Sequence, residues 1–243
     1  VEVPNVTLGQ KAAMANLAFG YHLNANSLDF AGAGVDGTDY YISYDAPSGI
    51  LGPAALFNGS TSRVYLGITE YYNLLQKLTF SVCALVRPAT GFGNFPIISR
   101  GLVSDGGNYY GCDFGFSTTG ITFSRNQGNT TNYTRTASFT FNALATYLVG
   151  MTYNQSNGAV VFYIFPLQPA GASLIVAATA VGTGTCYTTA PYDQYWNLGA
   201  RLRNVSNQYC KGSINEFLVF NDVRTTKWFN MYAAQLRGLL DWE

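Results

Sequence analysis

Asp29, Asp36 and Asp39 lie on or beside the stretch Asp-Phe-Ala-Gly-Ala-Gly-Val-Asp-Gly-Thr, residues 29–38, which places Gly32, Gly34 and Gly37 within six positions. Glycines so closely spaced permit positive φ and close backbone approach, so this is a tightly wound loop rather than a helix or a strand. Carboxylates and freed carbonyls crowded on such a loop are the hard oxygen donors that Ca²⁺ takes. The same residues also read as a turn whose Asp side chains accept hydrogen bonds from their own backbone. Both readings stand at this level.

A second group carries a different chemistry. Tyr187, Tyr192, Asp193, Tyr195 and Trp196 fall together in a loop-like stretch, with Gln194 and Asn197 beside them. Aromatic faces stack on sugar rings while Asp, Asn and Gln take the hydroxyls, so this stretch is the expected carbohydrate-binding site. The competing reading is that these aromatics fill a core or a subunit contact. Loops held on a rigid scaffold carry function more often than strands do, which favours binding for the group.

Catalytic machinery is not evident. A glycosidase needs two carboxylates facing each other across the sugar, roughly 5–9 Å apart. Acids on strand-like segments are few: Asp113 and Glu216 are isolated, Glu70 sits in a turn, and no Glu-x-Asp-x-Glu pattern occurs. The one histidine, His22, lies inside the first strand-like run, where a satisfied position is the plainer reading than a catalytic base. No Gly-x-Ser-x-Gly elbow or phosphate loop appears. The chain is expected not to be an enzyme.

The elements that must hold these residues are mostly strands. The 243 residues are 48% hydrophobic and only 11% charged, with 13 Lys plus Arg against 13 Asp plus Glu. A chain of this length and composition buries a large core, and without a basic excess it is not expected to bind nucleic acid. No apolar run is long enough to span a bilayer, and no basic-then-apolar signal peptide opens the sequence, so no membrane insertion is expected. Cys83, Cys112, Cys186 and Cys210 lack Cys-x-x-Cys spacing, which disfavours zinc. Cys83 sits in a strand-like run, and Cys186 and Cys210 would pair only in an oxidising compartment. Asn-x-Ser/Thr triplets at Asn5, Asn58, Asn129, Asn132, Asn154 and Asn204 matter only in a eukaryotic secretory pathway.

Residues 1–16 read as an N-terminal arm with a short helix from Gln10, and residues 17–243 as one domain. Strand-like runs begin at Leu17–Leu23 and Tyr40–Tyr44, continue through Ala54–Phe57, Arg63–Gly67 and Leu78–Val86, and then recur at even spacing to Ser213–Phe220. A helical turn is expected at Glu70–Gln76. Many short strands punctuated by Gly, Asn and Ser turns predict an antiparallel β-sandwich or barrel. Ala159–Phe165 is apolar at nearly every position and is expected to be covered on both faces. Thr225–Leu239 places Trp228, Met231, Tyr232, Leu236 and Leu239 at helical spacing, with Thr225 as N-cap and Gly238 marking the end. This helix is expected to pack across an edge or end of the sandwich.

Five pieces, in order, carry a family resemblance over about Leu17–Leu236. They are Asn24–Asp29 with the Gly32–Thr38 loop, Phe57-Asn58-Gly59-Ser60, Leu78–Pro88, Ile97-Ile98-Ser99-Arg100-Gly101, and Gly212–Asn221 with its trailing helix. Together they resemble the laminin-G-like, concanavalin A-like jelly-roll domains of bacterial surface proteins and bacteriophage virions. The resemblance implies an all-β sandwich of two curved antiparallel sheets, often with a structural Ca²⁺ and a glycan-facing surface. It adds Glu216 to Asp29 and Asp36 as Ca²⁺ ligands, whereas Asn215 stands where the family usually has Asp.

The expected function is that of a non-catalytic virion or cell-surface module, structural or adhesive, that binds glycans. The alternatives are a secreted lectin domain and, further off, a glycoside hydrolase. The expected partners are glycans or neighbouring virion and surface subunits, including further copies of the chain, and the expected location is a bacteriophage particle or an extracellular surface. Low charge, abundant tyrosine and the N-terminal arm favour association.

Overall fold

β-Branched and aromatic residues at alternating positions, closed by Gly/Asn/Ser turns, form the strands. The structure, a computed structural model, describes residues 14–31, 36–45, 52–67, 79–105, 108–127, 131–178, 181, 196–201 and 208–240. In chain order the strands are β1 (Leu17–His22), β2 (Thr38–Tyr40), β3 (Ser43–Asp45), β4 (Ala54–Asn58), β5 (Arg63–Gly67) and β6 (Phe80–Pro88). There follow β7 (Phe95–Asp105), β8 (Asn108–Ser117), β9 (Gly120–Gln127), β10 (Thr131–Ser138), β11 (Thr146–Asn154) and β12 (Ala159–Gln168). The last are β13 (Leu174–Ala178), β14 (Trp196–Leu198), β15 (Ala200–Arg201), β16 (Gln208–Tyr209) and β17 (Lys211–Phe220), before one helix, α1 (Thr226–Leu240). The arm, the Gln10 helix up to residue 13 and the Glu70–Gln76 turn lie outside the described residues.

Two antiparallel sheets make a jelly-roll sandwich, as expected. The back sheet runs β13-β12-β11-β6-β17-β4-β3, and β1 also pairs with β17. The front sheet runs β10-β9-β8-β7-β14-β5-β2. β17 changes neighbours along its length: Lys211–Ile214 face β4 and Glu216–Phe220 face β1. Asn215 sits at the changeover, where its side-chain amide donates to the Pro53 carbonyl at 3.1 Å and its carbonyl accepts from Leu23 N at 2.8 Å.

The period of two sorts each central strand into two apolar faces. Phe80, Val82, Ala84 and Val86 of β6 point between the sheets, whereas Cys83 and Leu85 point outward. β12 divides likewise, Phe162 and Ile164 inward and Tyr163 and Phe165 outward, which is the double covering expected for this strand. The outward side chains are covered by α1 through Phe229, Tyr232, Ala233 and Leu236. The helix therefore lies on a sheet face, not on an edge or end of the sandwich, because the back sheet's outer face is apolar and needs a lid. Phe229 stacks on Tyr163 at 3.9 Å and sits over Gly150, where an added Cβ would come within 2.4 Å of its ring.

Local signals set several boundaries. Trp228 N donates to Thr225 Oγ1 at 3.2 Å, so Thr225 caps α1 as predicted, but the helix runs through Gly238 to Leu240. Asn58 Oδ1 accepts from the backbone N–H groups of Ser60 at 2.8 Å, Thr61 at 2.9 Å and Ser62 at 3.2 Å, closing the turn between β4 and β5. The single strand expected over Tyr40–Tyr44 is broken at Tyr41, whose φ is +53°, and the chain passes there from front sheet to back. Cys83, Cys112 and Cys210 are buried, and Cys186 lies outside the described residues.

Candidate functional site

Strand register draws one polar line across the whole front sheet. Thr38 pairs with Tyr65, Tyr65 with Asn197, Asn197 with Ser99, Ser99 with Asp113, Asp113 with Ser124 and Ser124 with Thr134. The neighbouring line contains Val64, Leu198, Ile98, Phe114 and Phe123, all buried in the core. Because side chains alternate between faces, the polar line belongs to the outer face.

The middle of that face is closed and its flanks are open. Ser99, Asp113 and Asn197 are buried, and Arg201 of β15 forms an ion pair with Asp113. The same guanidinium donates from Nη1 to Gln208 Oε1 of β16 at 3.1 Å. An Asp taken out of water is stable as an anion only beside such a partner, so the β15–β16 ribbon is fastened to the sheet by charge. Beside it lies a cleft of about 100 Å³ bordered by Asn94, Ser117, Thr122, Arg201 and Gln208. Gly115 forms part of its wall, where an added Cβ would lie 2.5 Å from the Phe95 carbonyl oxygen.

The opposite flank is aromatic. Tyr40 of β2 is 38% exposed, and its ring meets that of Tyr65 edge-on at 6.2 Å. The Arg63 guanidinium lies 4.2 Å above the Tyr40 ring. Tyr41, at the corner, is 76% exposed. These tyrosines and arginine were not among the residues singled out in the sequence. They are separated along the chain and become neighbours only through the β2–β5 pairing, so no local signal marks them.

Of the expected carbohydrate-binding residues, Tyr187, Tyr192, Asp193 and Tyr195 lie outside the described residues. Trp196 is 1% exposed and sits in the core, opposite Gly67 on one side and Arg100 on the other. It offers no ring face to a sugar, which corrects its assignment. A strand position buried between two sheets took precedence over the loop-like run in which it falls.

The three expected Ca²⁺ ligands are divided between two places. Asp29 Oδ1 accepts from Gly20 N and Ala31 N, each at 3.0 Å, and Asp36 Oδ1 accepts from Asp29 N at 2.9 Å. These carboxylates act as backbone acceptors that hold the loop against β1, the turn reading given above. Glu216 is buried beneath α1: its Oε1 lies 3.2 Å from His22 Nδ1 and its Oε2 accepts from the Tyr232 hydroxyl. Among the described residues no three His, Cys, Asp or Glu side chains come together as a metal site.

A family model described as the concanavalin A-like lectin/glucanases superfamily matches residues 58–228. No curated protein matches the chain in sequence. Among solved structures, the chain is similar to the binding domain of botulinum neurotoxin DC in complex with SialylT. Identity is 14% and the TM-score 0.61 over 92% of this chain and 52% of that one, so the chain spans about half its length. It is also similar to the Ruminococcus gnavus IT-sialidase CBM40 bound to alpha2,3 sialyllactose, at 12% identity and TM-score 0.55 over 81% and 97% of the two chains. A third is the enzymatically active domain of bacteriophage CBA120 tailspike protein 2, at 12% identity and TM-score 0.55 over 83% of this chain and 30% of that one.

Proposed function

Because the chain belongs to the concanavalin A-like lectin/glucanase superfamily, we propose that it is a non-catalytic glycan-binding module with an adhesive or structural role on a virion or an extracellular surface. The observation that carries this reading is the outer face of the front sheet, where exposed Tyr40 beside Tyr65 forms one flank and a cleft bordered by Asn94, Thr122 and Gln208 opens past the closed middle. Tyr40 and Tyr65 supply ring faces for stacking, and the cleft beside Gln208 supplies amide and hydroxyl groups for sugar hydroxyls. The neighbours support it in kind: one is a carbohydrate-binding module bound to sialyllactose, and another is a phage tailspike domain, which favours the virion setting. The tailspike neighbour is also an active enzyme domain, so the fold alone does not exclude hydrolysis.

The non-catalytic reading rests on the carboxylates. Asp113 is buried and neutralised by Arg201, and Glu216 is enclosed under α1 behind the other sheet, so these two do not face each other across an open cleft. A glycan array with the purified chain tests both parts. Binding that falls at least tenfold in Tyr65→Ala, a loss of the size expected for an aromatic contact, is the expected result. Turnover of a bound glycan would refute the non-catalytic reading, and binding indifferent to both Tyr65→Ala and Tyr40→Ala would refute the site.

A further inference from the structure

The tyrosine flank holds a cation with no counter-charge among the described residues. Arg63 is half-buried, its side chain forms neither an ion pair nor a hydrogen bond among the described residues, and its Nε is enclosed. Its guanidinium carbon lies 4.2 Å from the centre of the Tyr40 ring, a cation–π contact that holds the group at this edge. Asp39, on the adjoining strand β2, pairs with Val64 on the other face of the sheet and accepts the Tyr44 hydroxyl at 2.7 Å. Arg201, the other arginine described on this face, has Asp113. The two arginines therefore differ in kind: one fastens the fold, and the other is unengaged beside the stacking rings.

A guanidinium that has lost part of its water and gained no anion is poised to take one, and its planar fork matches a carboxylate. We propose that the glycan bound at the β2–β5 edge carries a carboxylate, as a sialic or uronic acid does, and that Arg63 receives it while Tyr40 and Tyr65 pack against the sugar. This rests on the glycan-binding reading above and adds the charge class of the sugar. Arg63 is the specificity residue, and the tyrosines contribute affinity for neutral and acidic sugars alike.

Calorimetry with sialyllactose and lactose, and with a uronic-acid oligosaccharide and its neutral counterpart, tests it on wild type, Arg63→Gln, Arg63→Lys and Tyr65→Ala. The acidic member of each pair that binds is expected to bind at least tenfold tighter, with that preference weakened by salt. Arg63→Gln should remove roughly ten- to hundredfold of the acidic affinity, the size of a charge-assisted contact, and so abolish the preference over the neutral sugar. Arg63→Lys, which keeps the charge and loses the fork, should fall between the two. Unchanged melting temperatures separate these losses from misfolding. Tyr65-dependent binding of neutral sugars with no acidic preference would overturn the inference and leave the glycan reading standing. Acidic preference that survives in Arg63→Gln would also overturn it. No binding to any glycan would overturn both.

Discussion

His22 Nδ1 lies 3.2 Å from Glu216 Oε1 across the β1–β17 pair, and the other oxygen of the same carboxylate accepts the hydroxyl of Tyr232 from α1. One buried side chain thus joins the first described strand, the last strand and the helix. Phe30 closes the arrangement by stacking on His22 at 3.9 Å, which brings the start of the Asp29 loop to the same place. The early loop and the late acid are thus linked through His22 of β1 by side-chain contacts.

Removing the Tyr232 hydroxyl leaves a buried carboxylate oxygen without its donor. Tyr232→Phe is expected to cost about 1–3 kcal/mol in urea denaturation. His22→Ala should cost about 1 kcal/mol or less, since the imidazole is 52% exposed and solvent screens the pair. A larger loss in His22→Ala than in Tyr232→Phe would contradict this account of the contact.

The alkaline limb of stability has a definite sign. Burial, with the nearby Glu216 charge, pushes the Tyr232 phenol well above its ordinary 10.0 and the Cys83 thiol well above 9.0, although Arg224 opposes the latter. Burial alone pushes Cys210 up as well. In the unfolded chain these groups ionise near their ordinary values, while in the fold they keep their protons. Above about pH 9 the unfolded state therefore binds fewer protons, and stability present below that pH is lost as pH rises. Urea midpoints measured from pH 7 to 11 should decline from about pH 9. Cys83→Ala and Tyr232→Phe should each make the decline shallower; slopes matching wild type in both would sink the explanation.

Asp113 and Arg201 fasten the β15–β16 ribbon to the front sheet. Arg201→Ala strands a buried anion and is expected to cost about 3–5 kcal/mol, with part of that recovered in the double variant Asp113→Asn/Arg201→Ala. A double-mutant cycle on thermal unfolding measures the coupling. Additive losses would show that the pair does not hold the ribbon.

The sandwich and its lid were legible in the sequence because they are written in local period. Near-continuous apolar runs in β6 and β12 announce strands covered on both faces, and the 3.6-residue spacing of Trp228, Tyr232 and Leu236 announces the helix. Thr225 and the Asn58-Gly59 turn were readable for the same reason, since a cap or a turn is made by residues a few positions apart. Where α1 would rest was not readable, because that depended on the summed outer faces of β6, β11, β12 and β17.

The candidate site depended almost wholly on tertiary pairing. Trp196 looks like a loop aromatic until its register beside Gly67 and Arg100 places it inside. Tyr40, Arg63 and Tyr65 look unremarkable until β2 pairs with β5, and Asp113 looks isolated until β15 brings Arg201 to it. By itself the sequence determined which residues alternate and therefore which strands must bury a face. Only the tertiary structure decided which polar residues stand together, because register between strands distant in the chain is settled by the packing of the whole core, and a shift of one residue would turn each of these side chains to the other face.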